Sequence, residues 1–171
     1  MQGTTKSFTF APSFNNKQKD ITMKQIENVA SAQNFSAVNV GKFNGLYDYV
    51  MELGSDAKIQ GKVFCGPAIG ATGGEFSFQS FMPGTETGFL HMHKKHEELY
   101  FFLSGEGEFQ VDGKVFPVTE GTVVRVAPAG ERSVRNNGTC PLVMLCVQYK
   151  AGTFTDEDAA DGIIMDKPVK W

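Results

Sequence analysis

The chain has 171 residues, of which 41% are hydrophobic and 20% charged, and its formal net charge is only −3. This length suits one domain with its own core, and no cluster of Lys and Arg with interleaved aromatic residues occurs, so we expect no nucleic-acid partner. No apolar run approaches the roughly 20 residues needed to cross a bilayer, so we expect no membrane partner either.

The first 22 residues are polar but carry three phenylalanines. These are Phe8, Phe10 and Phe14. We interpret residues 1–22 as an arm that is either flexible or docked at a sheet edge. Met23 follows the arm directly, and translation could begin at Met1 or at Met23.

The next region, residues 23–58, has no clear hydrophobic period. Asp20 can cap a short helix carrying Met23, Ile26 and Ala30. The remainder mixes apolar residues with glycines. We expect residues 23–58 to form N-terminal elements that pack on the domain that follows.

Residues 59–149 read as one short strand after another, split by Gly, Pro and Asn. The predicted strands are Ile59–Cys65, Glu75–Met82, Phe89–His93, Leu99–Leu103, Gly107–Val111, Lys114–Val118, Thr122–Ala127, Ser133–Asn136 and Leu142–Tyr149. Asp112 and Gly113 predict a two-residue hairpin turn of the primed type. Many short strands with regular punctuation predict an all-β sandwich or barrel.

The C-terminal region, residues 150–171, is rich in acidic residues. Its carboxylates include Asp156, Glu157, Asp158 and Asp161. We predict a tail formed by a loop or a short helix packed on the outside of the domain, with Trp171 as a candidate anchor.

The cysteines and the start of the chain bear on the compartment. Cys65, Cys140 and Cys146 are odd in number and lack C-x-x-C spacing. The first residues have no apolar core of a secretory signal. We therefore expect a reduced, cytoplasmic setting in which the thiols act as small buried apolar groups.

One stretch carries the residue types of a metal site. On a strand, His91 and His93 would project to the same side. Lys94 to Glu97 would form a turn, and Leu99–Leu103 would return antiparallel and bring Glu98 against the two imidazoles. Such ligands suit a divalent transition metal, with Fe, Zn, Mn and Ni as candidates.

The same stretch resembles the first motif of the cupin superfamily, which reads H-x-H, three or four residues, E, six residues, G. The matching residues are His91, His93, Glu98 and Gly105. The resemblance covers roughly residues 59–149 and implies a cupin-type antiparallel β-barrel, or double-stranded jelly roll, with an N-terminal extension.

A second stretch resembles the second cupin motif. Gly121 is followed after six residues by Pro128-Ala129-Gly130, and Asn137 closes the pattern. The spacer before Pro128 is one residue longer than in the family, and Ser133 stands where the family has its last ligand histidine. Ser133 would leave a water-filled coordination position or hydrogen-bond a bound water, and Ser133→His is expected to tighten metal binding.

Several neighbours of the motif have two interpretations each. His96 could replace the missing fourth ligand, but its flanking lysines favour a solvated side chain. Glu97 competes with Glu98 as the carboxylate ligand, and the spacing to Gly105 favours Glu98. If Glu98 faces inward, so does Tyr100, whose phenol would line the pocket. Glu97 would then be a solvated acid or an acid just behind the ligands. Tyr100 and Glu97 are the candidate catalytic residues.

Three arginines lie in or near the predicted strands. Arg125 interrupts an apolar strand and lies either on the outer face beside an acid, which we favour, or inside the barrel to hold an anionic substrate. Arg132 and Arg135 are predicted on the surface.

An outward row on the central strand raises the question of assembly. Leu99, Phe101 and Leu103 alternate with the inward residues, and such a row cannot stay in water without forming a large apolar patch. Either the N-terminal segment or a second subunit covers it. The resemblance to cupins, which commonly dimerise by packing sheet on sheet, favours a homodimer.

Three classes of function remain open. We favour a small metalloenzyme, such as a dioxygenase, isomerase or lyase, that acts on a small polar organic molecule. Two His and one carboxylate with open positions are typical of non-haem Fe(II) oxygenases and equally of a Lewis-acid site. The alternative is a non-catalytic cupin that binds or senses a small molecule, and a structural or storage cupin ranks last.

Overall fold

The computed structural model describes residues 24–53 and 57–171. The predicted arm of residues 1–22, Met23 and the helix cap at Asp20 lie outside the described residues. The strands are β1 (Glu27–Ala32), β2 (Phe35–Asn39), β3 (Val50–Leu53), β4 (Ala57–Gln60), β5 (Lys62–Phe64), β6 (Glu75–Phe81), β7 (His96–Ser104), β8 (Glu106–Val111), β9 (Lys114–Thr119), β10 (Val123–Val126), β11 (Arg132–Arg135) and β12 (Leu142–Lys150). The helices are a 3-10 helix (Phe43–Asp48), α1 (Gly66–Ile69) and α2 (Asp156–Ala159).

Two antiparallel sheets form the barrel predicted from the sequence. The larger has the strand order β10-β7-β12-β6-β5, and the smaller has the order β11-β8-β9. Inward-facing side chains from both sheets make one apolar core, so the sheets pack face to face. Its buried members are Phe81, Tyr100, Phe102, Phe109, Val118, Val126, Val134, Leu142, Met144 and Cys146.

Side-chain alternation along β7 follows the predicted parity. Glu98, Tyr100 and Phe102 are buried and face the core, whereas Leu99 and Phe101 are half-buried on the outer face. Phe102 meets Phe109 of the opposite sheet edge to face, with ring centroids 6.1 Å apart, a favourable geometry for aromatic pairs. This interior strand therefore contributes both aromatic side chains and the buried carboxylate of Glu98 to the inside of the barrel.

Turn residues define the ends of several strands. At the β8–β9 hairpin, Asp112 and Gly113 both have positive φ, 50° and 78°, as the predicted primed turn requires. The predicted strand Ile59–Cys65 is interrupted at Gly61, whose φ of 78° ends β4 and begins β5.

The predicted strand Phe89–His93 is absent, and this prediction was wrong. His91 makes only an isolated antiparallel bridge with Arg132, and the amide of His93 donates to the Pro128 carbonyl at 2.9 Å. The chain then turns sharply, and β7 begins at His96, three residues before the predicted Leu99. The histidine segment is thus a loop fixed by β11 and its entry turn.

The N-terminal elements differ from the sequence interpretation. The predicted helix through Ile26 and Ala30 is wrong over its described part, because β1 pairs with β2 in a hairpin. Every residue of β1 is exposed. The 3-10 helix instead buries Leu46 completely, in a second apolar cluster with Val143 of the larger sheet. This cluster covers part of the outer face of that sheet.

The C-terminal tail forms a short helix, α2, whose first turn is capped by Thr155. Trp171 is fully exposed, so it does not anchor the tail, because it finds no apolar surface to cover it. Among the residues described, no helix has the length and apolar content that crossing a membrane requires.

Candidate metal centre

Glu98 occupies an inward position of β7, an interior strand of the larger sheet. It pairs with Val126 of β10 on one side and with Gln148 of β12 on the other. Only 6% of the residue is exposed. A buried carboxylate needs hydrogen-bond or charge partners, and the neighbouring side chains supply them.

Two imidazoles reach Glu98 from the loop before β7. His93 Nε2 lies 3.1 Å from Glu98 Oε1, and His91 Nε2 lies 3.9 Å from Glu98 Oε2. The bridge to Arg132 and the bond to Pro128 fix the loop in this position. The three residues that the sequence proposes as ligands therefore come together, although a loop and not a strand aligns the histidines.

The spacing of these atoms is close to that of ligands around a single metal ion. Their candidate ligand atoms all lie within 4.8 Å of one another. Two atoms held at about 2.1 Å from one ion lie about 3.0 Å apart at a right angle and about 4.2 Å apart when opposite. In addition, His91 Nδ1 is buried without a hydrogen-bond partner within the described residues, which is unusual for a ring nitrogen that has no external ligand.

The protonation states also suit metal ligands. Burial alone would raise the pKa of Glu98, but the hydrogen bond with His93, the charge of Arg132 and the Tyr100 phenol hold it well below its usual range. Burial, assisted by the charge of Arg132, lowers the pKa of His91 to about 4. At neutral pH the group therefore offers a carboxylate and a neutral imidazole, the forms that bind metal.

Arg132 is the residue of this site that the sequence interpretation missed. It was predicted on the surface, which is wrong, since only 1% of it is exposed. Its Nε donates to Glu98 Oε2 at 3.0 Å, and its Nη2 binds the same oxygen. One signal was available: Arg132 alternates with the apolar Val134 on β11, so the two share the inward face.

Tyr100 belongs to the same group. It is 4% exposed, and its hydroxyl donates to Glu98 Oε2. Arg132 Nε lies 3.3 Å from the phenol oxygen. Burial and, to a lesser extent, the charge of Glu98 raise the pKa of Tyr100, so the phenol is a hydrogen-bond donor and not a base at neutral pH.

The structure keeps three other candidate residues away from the group. Ser133 points to the opposite side of β11 from Arg132 and lines an outer groove with Gln110. Glu97 lies on the outer face of β7 and pairs with Arg125, whose Nε donates to it at 2.7 Å. The ring centroids of His96 and His93 are 6.3 Å apart, and His96 is not one of the three residues whose ligand atoms converge.

Glu97 and Arg125 together answer one question that the sequence left open. Arg125 lies on the outer face beside an acid, the interpretation we favoured, and its side chain is 60% exposed. A hydrogen bond from Tyr149 and another from Arg125 lower the pKa of Glu97. This pair lies on the outer face of the sheet, on the other side of β7 from Glu98.

Comparisons with known proteins agree with this geometry. A family model described as a cupin domain matches residues 77–148. A cupin protein from Bacteroides fragilis of solved structure is 31% identical, with a TM-score of 0.56, and the match covers 67% of this chain and 94% of that one.

Two curated proteins are each similar to part of this chain. An uncharacterized protein of Methanocaldococcus jannaschii is 29% identical over 80 residues, or 47% of this chain and 64% of the relative. The oxalate-binding protein of Thermotoga maritima is 35% identical over 72 residues, or 42% of this chain and 59% of the relative. The match thus spans less than two thirds of either curated relative.

Proposed function

The chain belongs to the cupin superfamily, and on this basis we propose that it holds a divalent transition metal through His91, His93 and Glu98. The open positions of the metal then bind a small carboxylic acid. The observation that carries the proposal is the convergence of two imidazoles and one carboxylate within 4.8 Å inside the barrel. Fe, Zn, Mn and Ni all suit this donor set.

The residues of the chain prepare the site in two ways. Glu98 is kept ionised and His91 neutral. A metal therefore has few protons to displace from these two ligands near neutral pH. Because the His91 side chain is 32% exposed while that of Glu98 is 8% exposed, solvent and ligand reach the site from the histidine side. When bound, the metal would act as a Lewis acid toward a ligand oxygen.

The class of ligand follows from the donor set and from one relative. Three protein ligands leave room for oxygen atoms of a chelating molecule. The name of the Thermotoga maritima relative states that it binds oxalate, a small dicarboxylate. We therefore propose a small dicarboxylate or a similar chelating acid as the ligand class.

A metalloenzyme activity, as a dioxygenase, isomerase or lyase, is the second candidate. Two His and one carboxylate with open positions favour it. Against it, Glu97 faces away, and Tyr100 is committed to Glu98 with a raised pKa. Neither proposed catalytic residue is therefore a free base beside the metal, and binding is the better supported function.

Metal analysis and ligand titration test this proposal. We expect the purified, untagged chain to take up one Mn²⁺ per subunit in calorimetry, and the loaded protein to bind oxalate. His91→Ala should reduce Mn²⁺ uptake strongly while the thermal melting of the barrel changes little, since His91 is outside the core. Full Mn²⁺ stoichiometry in the His91→Ala variant would contradict the assignment, as would a loaded protein with no affinity for oxalate.

A further inference from the structure

Arg132 places a permanent positive charge inside the proposed metal site. Within the described ranges, it is the one buried cation. Its remaining donors are also engaged, because Nη1 lies 3.0 Å from the Gly130 carbonyl and 3.4 Å from the His91 carbonyl. The guanidinium is thus fixed by the loop and by Glu98, and it cannot swing away when a ligand enters.

The hydrogen bonds to Glu98 differ between its two carboxylate oxygens. Three donors converge on Oε2: the Tyr100 hydroxyl, Arg132 Nε and Arg132 Nη2. A carboxylate oxygen offers about two lone pairs, so Oε2 has none left for a metal. Oε1 faces His93 at 3.1 Å and remains the one oxygen of Glu98 available to an ion.

The charge has a consequence for both metal and ligand. Neutral histidines, the Glu98 carboxylate and a divalent ion alone would sum to +1, and the Arg132 guanidinium raises the sum to +2. Charges a few ångströms apart in a buried site interact strongly. We propose, building on the metal site proposed above, that Arg132 sets the charge of this centre, weakens its hold on the metal and makes the loaded centre select small dianions over monoanions.

A purely structural role for Arg132 makes a different prediction. Removing a buried guanidinium with this many hydrogen bonds would loosen the loop and the carboxylate together. Metal binding and anion binding would then both weaken. A charge-setting role changes the two affinities in opposite directions, and this difference in sign separates the two roles.

Three variants make the test. Arg132→Gln removes the charge and keeps amide donors, whereas Arg132→Lys keeps the charge with fewer donors. Arg125→Gln is the matched control. Arg125 also pairs with a glutamate of β7, but this glutamate is Glu97, on the outer face. Each protein is titrated at pH 7.5 with Mn²⁺, and the loaded protein is then titrated with oxalate and, separately, with acetate.

For Arg132→Gln we expect Mn²⁺ to bind at least about tenfold more tightly and the preference for oxalate over acetate to fall at least about tenfold. Arg132→Lys should keep the preference, and Arg125→Gln should match the wild type in every titration. Unchanged or weaker Mn²⁺ binding in Arg132→Gln would overturn the inference. If that variant does not fold, Arg132→Lys decides, since loss of its oxalate preference would also overturn it.

The outcomes distinguish this inference from the proposed function. Mn²⁺ binding by the wild type without any gain in Arg132→Gln refutes the role of Arg132 and leaves the metal site standing. Mn²⁺ binding by Arg132→Gln alone supports the role of Arg132 and refutes the proposed function of the natural chain. Binding by neither protein refutes both.

Discussion

At the scale of single residues, the site depends on which face of a strand each side chain occupies. Arg132 and Ser133 are neighbours in sequence, yet Arg132 lies against Glu98 and Ser133 lines a groove on the outside of β11. Successive side chains of a strand project to opposite faces, so Arg132 and Ser133 cannot both face Glu98. The position that aligns with the ligand histidine of the family is therefore turned away from the proposed metal.

This orientation reverses the expectation drawn from the motif for Ser133→His. We now predict that Ser133→His leaves Mn²⁺ affinity unchanged, because an imidazole at this position would project beside Gln110 and not toward Glu98. Calorimetric titration of the variant and the wild type provides the comparison. Clearly tighter binding in the histidine variant would mean that β11 presents the other face to the metal.

The cysteines give a second prediction at this scale. Burial raises the pKa of Cys65 to about 11 and that of Cys146 to about 12. Cys140 is exposed, so the expectation of a buried thiol is wrong for this residue. Because the thiolate is the reactive form, we predict that iodoacetamide at pH 8 labels Cys140 alone in the folded protein. Mass spectrometry counts the labels, and Cys140→Ser should abolish them. Rapid labelling of Cys146 without unfolding would contradict its place in the core.

At the scale of elements, the link between β7 and β8 shows how a motif glycine acts. Gly105 has a φ of +82°, and a Cβ there would lie far inside van der Waals distance of the Pro141 carbonyl oxygen. A side chain therefore meets both backbone strain and a steric clash. Only glycine adopts this left-handed conformation without strain and leaves room for the Pro141 carbonyl.

We predict that Gly105→Ala lowers the free energy of unfolding by more than about 2 kcal/mol, from left-handed strain of about 1–2 kcal/mol plus the clash. Gly113→Ala is the matched control, because its φ of +78° is similar while nothing lies within 4 Å of the added Cβ. Urea unfolding of both variants separates the two terms. Equal losses would show that the clash with Pro141 is relieved without cost.

The strands were largely predictable from the sequence, and the reason lies in alternation. The predicted strand Glu75–Met82 agrees with β6 to within one residue, and half-buried and buried side chains alternate over its first part, Phe76–Gln79. Phe89–His93 carries a similar pattern but bonds to β11 only at His91, a tertiary contact that no local pattern encodes. Arg132 was missed for the same kind of reason. A charged residue is usually exposed, and its burial depends on Glu98, which lies 34 residues away.

At the scale of the whole molecule, the outer face of the larger sheet is only partly covered. The 3-10 helix covers the β6 side, where Phe43 lies on Phe78 with ring centroids 5.4 Å apart, and Leu103 packs against the same cluster. On the β10 side, Val123 is 57% exposed beside the half-buried Phe101. This remaining apolar row is where we propose that a second copy of the chain packs to form a homodimer.

Light scattering tests the homodimer. We predict a dimer for the full chain and a monomer for Phe101→Glu, because burying each large apolar side chain contributes about 1.5–3 kcal/mol and a buried charge cancels it. Val115→Glu is the control, since Val115 is also an accessible apolar residue, 49% exposed, but belongs to the other sheet. A chain that begins at Met23 should remain dimeric. A full chain that is monomeric, with the shortened chain less stable, would assign the row to the N-terminal arm instead.

We propose above all that the inner carboxylate of β7, Glu98, holds a metal and that its outer neighbour, Glu97, does not. Glu98→Gln and Glu97→Gln make the same change of shape and charge at adjacent positions on opposite faces of one strand. Calorimetric titration with Mn²⁺ compares them directly. We predict that Glu98→Gln loses at least about a hundredfold in Mn²⁺ affinity, as expected when an anionic ligand becomes a neutral one, while Glu97→Gln binds as the wild type does. Equal Mn²⁺ affinity in the two variants would contradict the account.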